Sequence, residues 1–254
     1  MFDVIIIGAG MAGLTAAIYA GRAGKKVLVL ENGAVGGQII NALSVGNWPG
    51  ESKISGADLM KKIHEQVVSF GATIQYEEVM AVETDAKGFL VKTDEGSYLC
   101  KVVVIATGTE PRKLSEKQAK DAGARPISYC ATCDGALYKG KPVVVVGSGN
   151  TAKHEIKYLE NIASEVYHIH HDEPIPEKAE AVFVAIGRVP ATTVFKGLVE
   201  MDEDGYIVAA EDCKTSCPGV FVAGDCRTKS VRQLVTAAGD GAVAAEAALD
   251  YLEK

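Results

Sequence analysis

Val4-Ile5-Ile6-Ile7-Gly8-Ala9-Gly10-Met11-Ala12-Gly13 is an apolar run of strand length that ends in three closely spaced glycines. Residues 14–23 continue with helical character. Residues 26–30 are again strand-like and end in Glu31. Together they make one strand–turn–helix–strand unit. Gly8 permits a tight turn, Gly10 lets a phosphate approach the backbone, and Gly13 lets the helix pack close to the strand. The helix N-terminus offers free N–H groups and the positive end of its dipole. Glu31, eighteen residues after Gly13, is placed to accept a hydrogen bond from a ribose hydroxyl. A glycine-rich turn packed on a sheet would account for the glycines alone. With both strands, the helix and the acid in place, the unit reads as a dinucleotide site.

Beyond it, Gly36-Gly37-Gln38 breaks the pattern and Asn47-Trp48-Pro49-Gly50 reads as a loop. Residues 56–70 have the spacing of an amphipathic helix, and residues 72–83 and 88–93 alternate like antiparallel strands. A buried strand over residues 102–106 ends in Thr107-Gly108-Thr109, and the basic residues 112–125 read as a mobile connection. Ser128-Tyr129-Cys130-Ala131-Thr132-Cys133-Asp134-Gly135 follows. Two cysteines at this spacing can close a small disulfide, and the acid after them can carry a proton. Beside a nucleotide site, the pair reads as an electron carrier between a bound cofactor and another molecule.

A second glycine turn, Gly147-Ser148-Gly149-Asn150-Thr151-Ala152, sits between a strand over 142–146 and a helix ending near Asn161. A further strand over 165–169 leads to His170-His171-Asp172, where the first unit has its acid. Gly147 to Gly187 is only 40 residues. One βαβ crossover takes about 30 residues or more, and a full doubly wound domain needs two such halves. The second nucleotide domain is therefore half built. Strands over 204–208 and 215–222, Ala223-Gly224-Asp225-Cys226 and a long Ala-rich helix over 233–252 complete the chain.

The 254 residues are 48% hydrophobic and 23% charged, with 27 glycines, which suits a globular α/β protein of one large or two modest domains. A net charge of −7 leaves no electrostatic footprint for nucleic acid. The apolar runs are far shorter than a membrane span. With no basic leader ahead of the first strand, a cytoplasmic protein is expected, where a C-x-x-C pair is catalytic or metal-binding rather than a structural staple.

These residues resemble the low-molecular-weight thioredoxin reductases. The matches run in order along nearly the whole chain: the first glycine turn with Glu31, Gly37-Gln38, Asn47-Trp48-Pro49-Gly50, Ala106-Thr107-Gly108, Cys130-Ala131-Thr132-Cys133-Asp134, the second glycine turn, Ala185-Ile186-Gly187, Ala223-Gly224-Asp225, and Arg232-Gln233-Leu234-Val235-Thr236-Ala237-Ala238-Gly239. The resemblance implies a two-domain Rossmann-like flavoprotein and a homodimer. Its FAD domain would be split, 1–111 and 189–254, around a shortened disulfide and nucleotide domain, 112–188. Gly8, Gly10, Gly13 and Glu31 would hold the ADP half of FAD. Gly37, Gln38, Asn47, Thr107 and Gly108 would line its middle, Gly224 and Asp225 would meet the ribityl chain, and Arg232 with Gln233 would lie near the isoalloxazine. The resemblance further implies that Cys133 faces the flavin, that Cys130 attacks the thioredoxin disulfide, and that Asp134 protonates the leaving thiolate.

The chain departs from the family where an Arg pair grips the 2′-phosphate of NADPH. His171 and Asp172 stand there; neutral His is a poor clamp and Asp repels phosphate. With the half-built domain, this points to a donor other than NADPH, and the resemblance extends to thioredoxin reductases fed by ferredoxin. A ferredoxin near −400 mV lies about 130 mV below thioredoxin, worth roughly 6 kcal/mol for two electrons. NADPH or NADH at a minimal site, or another flavin or deazaflavin donor, are the alternatives. From other classes, a four-thiolate zinc site using Cys130, Cys133, Cys213 and Cys217, or an FAD-binding regulator without turnover, also remain open. Cys100 and Cys226 read as buried thiols, and Cys213 and Cys217 as surface thiols or a local disulfide.

Overall fold

Runs that are apolar on every position become strands covered on both faces, which is the environment of a parallel sheet. In the computed structural model, which describes all 254 residues, the chain runs β1 (Phe2–Ile7), α1 (Met11–Arg22), β2 (Val27–Leu30), α2 (Gly56–Ser69), β3 (Thr73–Gln75), β4 (Val79–Asp85), β5 (Gly88–Thr93), β6 (Ser97–Ile105) and β7 (Thr109–Pro111). It continues through α3 (Glu116–Ala122), β8 (Ile127–Ser128), α4 (Ala131–Asp134), β9 (Pro142–Val146), α5 (Asn150–Leu159), β10 (Glu165–Ile169), β11 (Ala181–Val184), β12 (Arg188–Pro190), β13 (Val220–Val222) and α6 (Leu234–Leu252). Residues Met1–Leu43, Trp48–Thr109 and Pro190–Lys254 form one unit; Ser44–Asn47 and Glu110–Val189 form the other.

The first unit is organised on β6. Its C-terminal half pairs in parallel with β1 and β13, and its first residues pair antiparallel with β5. The strand order is β3-β2-β1-β6-β5-β4, with β13 also on β6. Val4, Ile5, Ile6 and Val102 to Ile105 are almost wholly buried. Helix α6 lies close on α1 because both contact faces are small: a Cβ on Gly241 would fall 2.2 Å from the Ala12 carbonyl oxygen. Ser55 caps α2, accepting the Asp58 amide at 3.0 Å.

The second unit is a four-stranded parallel sheet in the order β10-β9-β11-β8. Valines alternate across β9. Val143 and Val145 pack with Ala152, Leu159 and Phe183, while Val144 and Val146 pack with Ala122, Ile169 and Ile175. From β10 the chain must cross β9 to reach β11, and it does so over residues 170–180 without a helix.

Residues 112–125, expected to be mobile, are ordered instead. Ser115 caps the short helix α3. Gln118 on α3 is fully buried, and its Nε2 donates to the carbonyls of His170 and Glu173 at 3.2 and 3.1 Å. Arg125 donates to the Pro176 carbonyl at 2.7 Å and to the Asp121 carbonyl. The polar residues of this stretch thus tie down the helix-free link. Lys117 and Lys120 alternate with Glu116 and Asp121, so α3 presents no one-signed patch.

Candidate active site

The first glycine turn is built as its spacing requires. Gly8 has φ +104°, and a Cβ there would meet the Ala106 carbonyl oxygen at 2.4 Å. At Gly13 a Cβ would lie 1.9 Å from the Gly8 carbonyl oxygen. Gly10 differs, with nothing within 4 Å of where its Cβ would stand. It is the N-cap of α1 and provides no side chain to satisfy the first-turn amides. An open approach to uncapped amides at a helix start is what a pyrophosphate needs.

Glu31 directly follows β2 beside this turn. Its Oε2 accepts the Ala9 amide at 2.7 Å and its Oε1 accepts the Gly33 amide at 2.8 Å, so the acid also ties the glycine loop together. Gly37 stands with φ +63°, its Cβ position 3.6 Å from the Gly10 Cα. The Gln38 amide donates to the Thr109 carbonyl. The Thr107 hydroxyl is buried with no oxygen or nitrogen partner, and Gly108 follows with φ +68°. Asn47 is exposed, in the segment Ser44–Asn47 that groups with the second unit.

The C-terminal residues of the first unit form a second cluster. Arg232 donates from Nε to the Asp225 carbonyl and from Nη2 to the Arg227 carbonyl, both at 3.2 Å, and its guanidinium lies 4.2 Å from the centre of the Tyr206 ring. Gln233 caps α6 in a reciprocal pairing with Thr236. Sequence reasoning did not find what lies behind them. The Asp240 carboxylate accepts the Gly224 amide at 3.0 Å, Arg227 Nε and Nη2 at 2.8 Å each, and Lys229 Nζ at 2.7 Å. Burial pushes this carboxyl up, but the hydrogen bonds and charges of Arg227 and Lys229 outweigh it and hold it below its usual range. An acid set between two glycines, Gly239-Asp240-Gly241, on the Ala-rich face of α6 is the available signal, since a buried charge must find partners.

In the second unit Cys130 and Cys133 are joined as a disulfide with Cα atoms 5.3 Å apart. Cys130 is the N-cap of α4, and Cys133 lies within its single turn. The Ser128 hydroxyl donates to Asp134 Oδ2 at 2.7 Å and accepts the Cys130 amide at 3.1 Å, linking the acid to the strand that precedes the pair. The Cys130 sulfur is 3.4 Å from the Thr132 hydroxyl, and Thr132 is exposed. The pair and its acid are thus brought together on one short turn.

The second glycine turn keeps its backbone. Gly147 has φ +142°, and a Cβ there would meet the Ala185 carbonyl oxygen at 2.3 Å. A cleft of about 480 Å³ opens beside it, lined by Arg112, Lys113, Gly149, Thr151, His171 and Gly187 among others. His171 Nδ1 lies 3.0 Å from Asp172 Oδ2, so the two residues at the Arg-pair position are occupied with one another. The Ser115 hydroxyl and His171 hold the Asp172 carboxyl below its usual range.

Of the other cysteines, Cys100, Cys213 and Cys226 are buried and Cys217 is half-buried; none is in a disulfide. This corrects the reading of Cys213 as a surface thiol. Burial pushes Cys100 up to about 12 and Cys213 up to about 11, which leaves both inert as nucleophiles. No group of three His, Cys, Asp or Glu side chains is arranged to hold a metal ion. No helix is long and apolar enough to cross a membrane.

The family model described as pyridine nucleotide-disulphide oxidoreductase matches residues 2–177 and 173–241. A thioredoxin reductase of Listeria innocua is 37% identical, with 100% of this chain and 95% of the relative covered. That alignment runs over 303 positions against 254 residues here, so it is carried across gaps in this chain. Among solved structures, the thioredoxin reductase of Streptococcus pyogenes is 32% identical with a TM-score of 0.91, covering 100% of this chain and 98% of that one. A ferredoxin-flavin thioredoxin reductase of Clostridium acetobutylicum is 28% identical with a TM-score of 0.64, covering 99% and 97%. Members of the matched family are FAD-binding flavoproteins. The uncapped amides of α1 and the open space at Gly10 fit that cofactor. This chain belongs to the pyridine nucleotide-disulphide oxidoreductase family.

Proposed function

We propose that this chain is an FAD-dependent thioredoxin-disulfide reductase that works as a homodimer in the cytoplasm and takes its electrons from a donor other than NADPH, such as reduced ferredoxin. The observation that carries the first part is the Cys130–Cys133 disulfide with Asp134 held beside it by Ser128. The first unit would bind FAD. Gly8, Gly10, Gly13 and the α1 amides would receive the pyrophosphate, Glu31 the ribose, and Gly37, Gln38, Asn47, Thr107, Gly108, Gly224, Asp225, Arg232 and Gln233 the remainder.

FAD, when bound, supplies the two electrons that open the disulfide. Cys133 would be the sulfur placed to accept them, and Cys130 is the outward nucleophile. Its thiolate attacks a thioredoxin disulfide to form a mixed disulfide, and Cys133 then resolves it, releasing thioredoxin as a dithiol. Asp134 delivers a proton to the thiolate that leaves, and Ser128 orients the acid. Cysteine at a helix start is favoured as thiolate by the adjacent amides.

The choice of donor rests on the second unit. His171 and Asp172 are paired with one another where an Arg pair would grip a 2′-phosphate. The link from β10 to β11 lacks the helix of a full crossover. The deciding experiment is anaerobic reduction of the bound flavin by NADPH, NADH and reduced ferredoxin in parallel, each followed by addition of thioredoxin. Ferredoxin is expected to bleach the flavin and support thioredoxin reduction. Turnover with NADPH at micromolar KM would sink the choice of donor while leaving the reductase assignment standing.

A further inference from the structure

A carboxyl that is buried without enough donors resists ionisation, and one such group lies under the redox turn. Glu155 is carried on α5 between Ala152 and Leu159, both fully buried at helical spacing from it. Its Oε1 accepts the Ala131 amide at a long 3.4 Å. Ala131 is the first residue of α4, directly after Cys130. The Glu155 Oε2 is buried with no hydrogen-bond partner. Burial pushes the Glu155 carboxyl up to about 7, against the Ala131 amide and the Arg188 charge, which pull it down. The other charged group on α4 is Asp134, already bonded to Ser128. Tyr138 and Tyr158 pack nearby, and Lys153, His154 and Lys157 on α5 itself are exposed.

We propose that Glu155 is a positioning residue that sets the ionisation of Cys130, the two groups sharing a single negative charge. This rests on the reading of Cys130 as the outward nucleophile. With the pair reduced, Cys130 starts as a thiol and Glu155 as a carboxylate holding the Ala131 amide. When the sulfur gives up its proton to solvent, the carboxyl takes one up, so charge moves from oxygen to sulfur with no net change. The neutral acid then leaves the amides at the helix start to the thiolate. Both groups ionise together only at higher pH, because a carboxylate held on the Ala131 amide and a thiolate on the residue before it are like charges that oppose each other.

The test uses FAD-loaded Cys133→Ser protein, in which Cys130 has no disulfide partner. Its alkylation by iodoacetamide is followed on the Cys130 peptide by mass spectrometry from about pH 5 to about pH 10. The expected rate profile rises in two steps, the lower near pH 7. Glu155→Gln is expected to merge them into one step below the parent's upper one and to raise the rate by about twofold at pH 7 and by up to about tenfold above it, the effect of an interaction of one pK unit. Glu155→Asp should keep two steps, and Asp134→Asn should not remove the lower one. A single-step parent profile, a lower step lost with Asp134→Asn, or a Glu155→Gln profile matching the parent would each overturn the proposal. If Glu155→Gln fails to retain flavin, the parent and Asp134→Asn profiles still decide. The measurement involves neither thioredoxin nor an electron donor, so failure of the functional reading appears separately, as absent turnover with an intact alkylation profile.

Discussion

The two glycine turns share their backbone and differ in what surrounds them. Gly8 and Gly147 both stand at positive φ, and a side chain at either would strike a carbonyl on the neighbouring strand segment. Gly13 opens the way for α1 to press onto its turn, whereas the matching position in the second unit is the buried Ala152. The first turn is followed by a strand ending in an acid that ties the loop, the second by a strand ending in a His–Asp pair. Each unit also buries a carboxyl behind its working residues, with opposite outcomes. Asp240 is enclosed by Arg227, Lys229 and the Gly224 amide, while Glu155 has one long hydrogen bond. A local turn geometry therefore does not decide a ligand, and burial does not decide a charge; in both cases the number and sign of the partners decide.

Removing the carboxylates should separate the two cases most strongly. Asp240→Asn leaves Arg227 and Lys229 buried beside a neutral amide and is expected to cost about 3–5 kcal/mol, read as a drop in denaturant midpoint. Glu155→Gln at neutral pH should cost less than about 1 kcal/mol, since burial already opposes the carboxylate there. Equal losses would erase the distinction.

Steric occupancy gives the next effect. Gly13→Ala places a methyl against the Gly8 carbonyl, and a loss of about 1–3 kcal/mol is expected together with loss of bound flavin on gel filtration. Ala152→Gly should cost only about 1 kcal/mol and keep the flavin.

The pH response should then run in opposite directions. Asp240 is depressed in the folded chain, so its contribution is present above its usual value of 3.8 and is lost as pH falls below it. Glu155 is raised, so its contribution is full below 4.5 and is lost as pH rises through about 7. Between those limits the second unit should lose about 3 kcal/mol that Glu155→Gln does not lose, measured by amide exchange of β9 and β11.

The smallest effect compares the caps. Ser55→Ala and Ser115→Ala should each cost about 1 kcal/mol, but only Ser115→Ala should also raise amide exchange across residues 170–180, because α3 anchors that link through Gln118.

Much of this is legible in the residues themselves. Val4 to Ile7 and Val143 to Val146 announce buried strands because β-branched runs suit little else, and Cys130 to Asp134 announce redox chemistry by residue type alone. Helix α3 was not legible: it is short and mostly polar, and its order comes from Gln118 and Arg125 bonding to backbone far along the chain. Glu155 is less legible: the glycine turn dominates the pattern at its helix, and only the spacing from Ala152 to Leu159 places it on the inner face. The role of Asp240 is not legible for a different reason: its partners Arg227 and Lys229 are brought to it only by folding.

The chain leaves the first unit after Thr109 and returns at Pro190 through the paired strands β7 and β12. At that doorway the Ala191 amide donates to the Gly108 carbonyl at 3.1 Å. The two ends of the insertion are therefore already stitched together on the first unit's side. Whatever is threaded between them can shorten without moving a strand of the larger sheet. A polypeptide joining Thr109 to Pro190 by a brief turn would keep every strand of that sheet, and an abbreviated second unit is a change of the same kind carried part of the way.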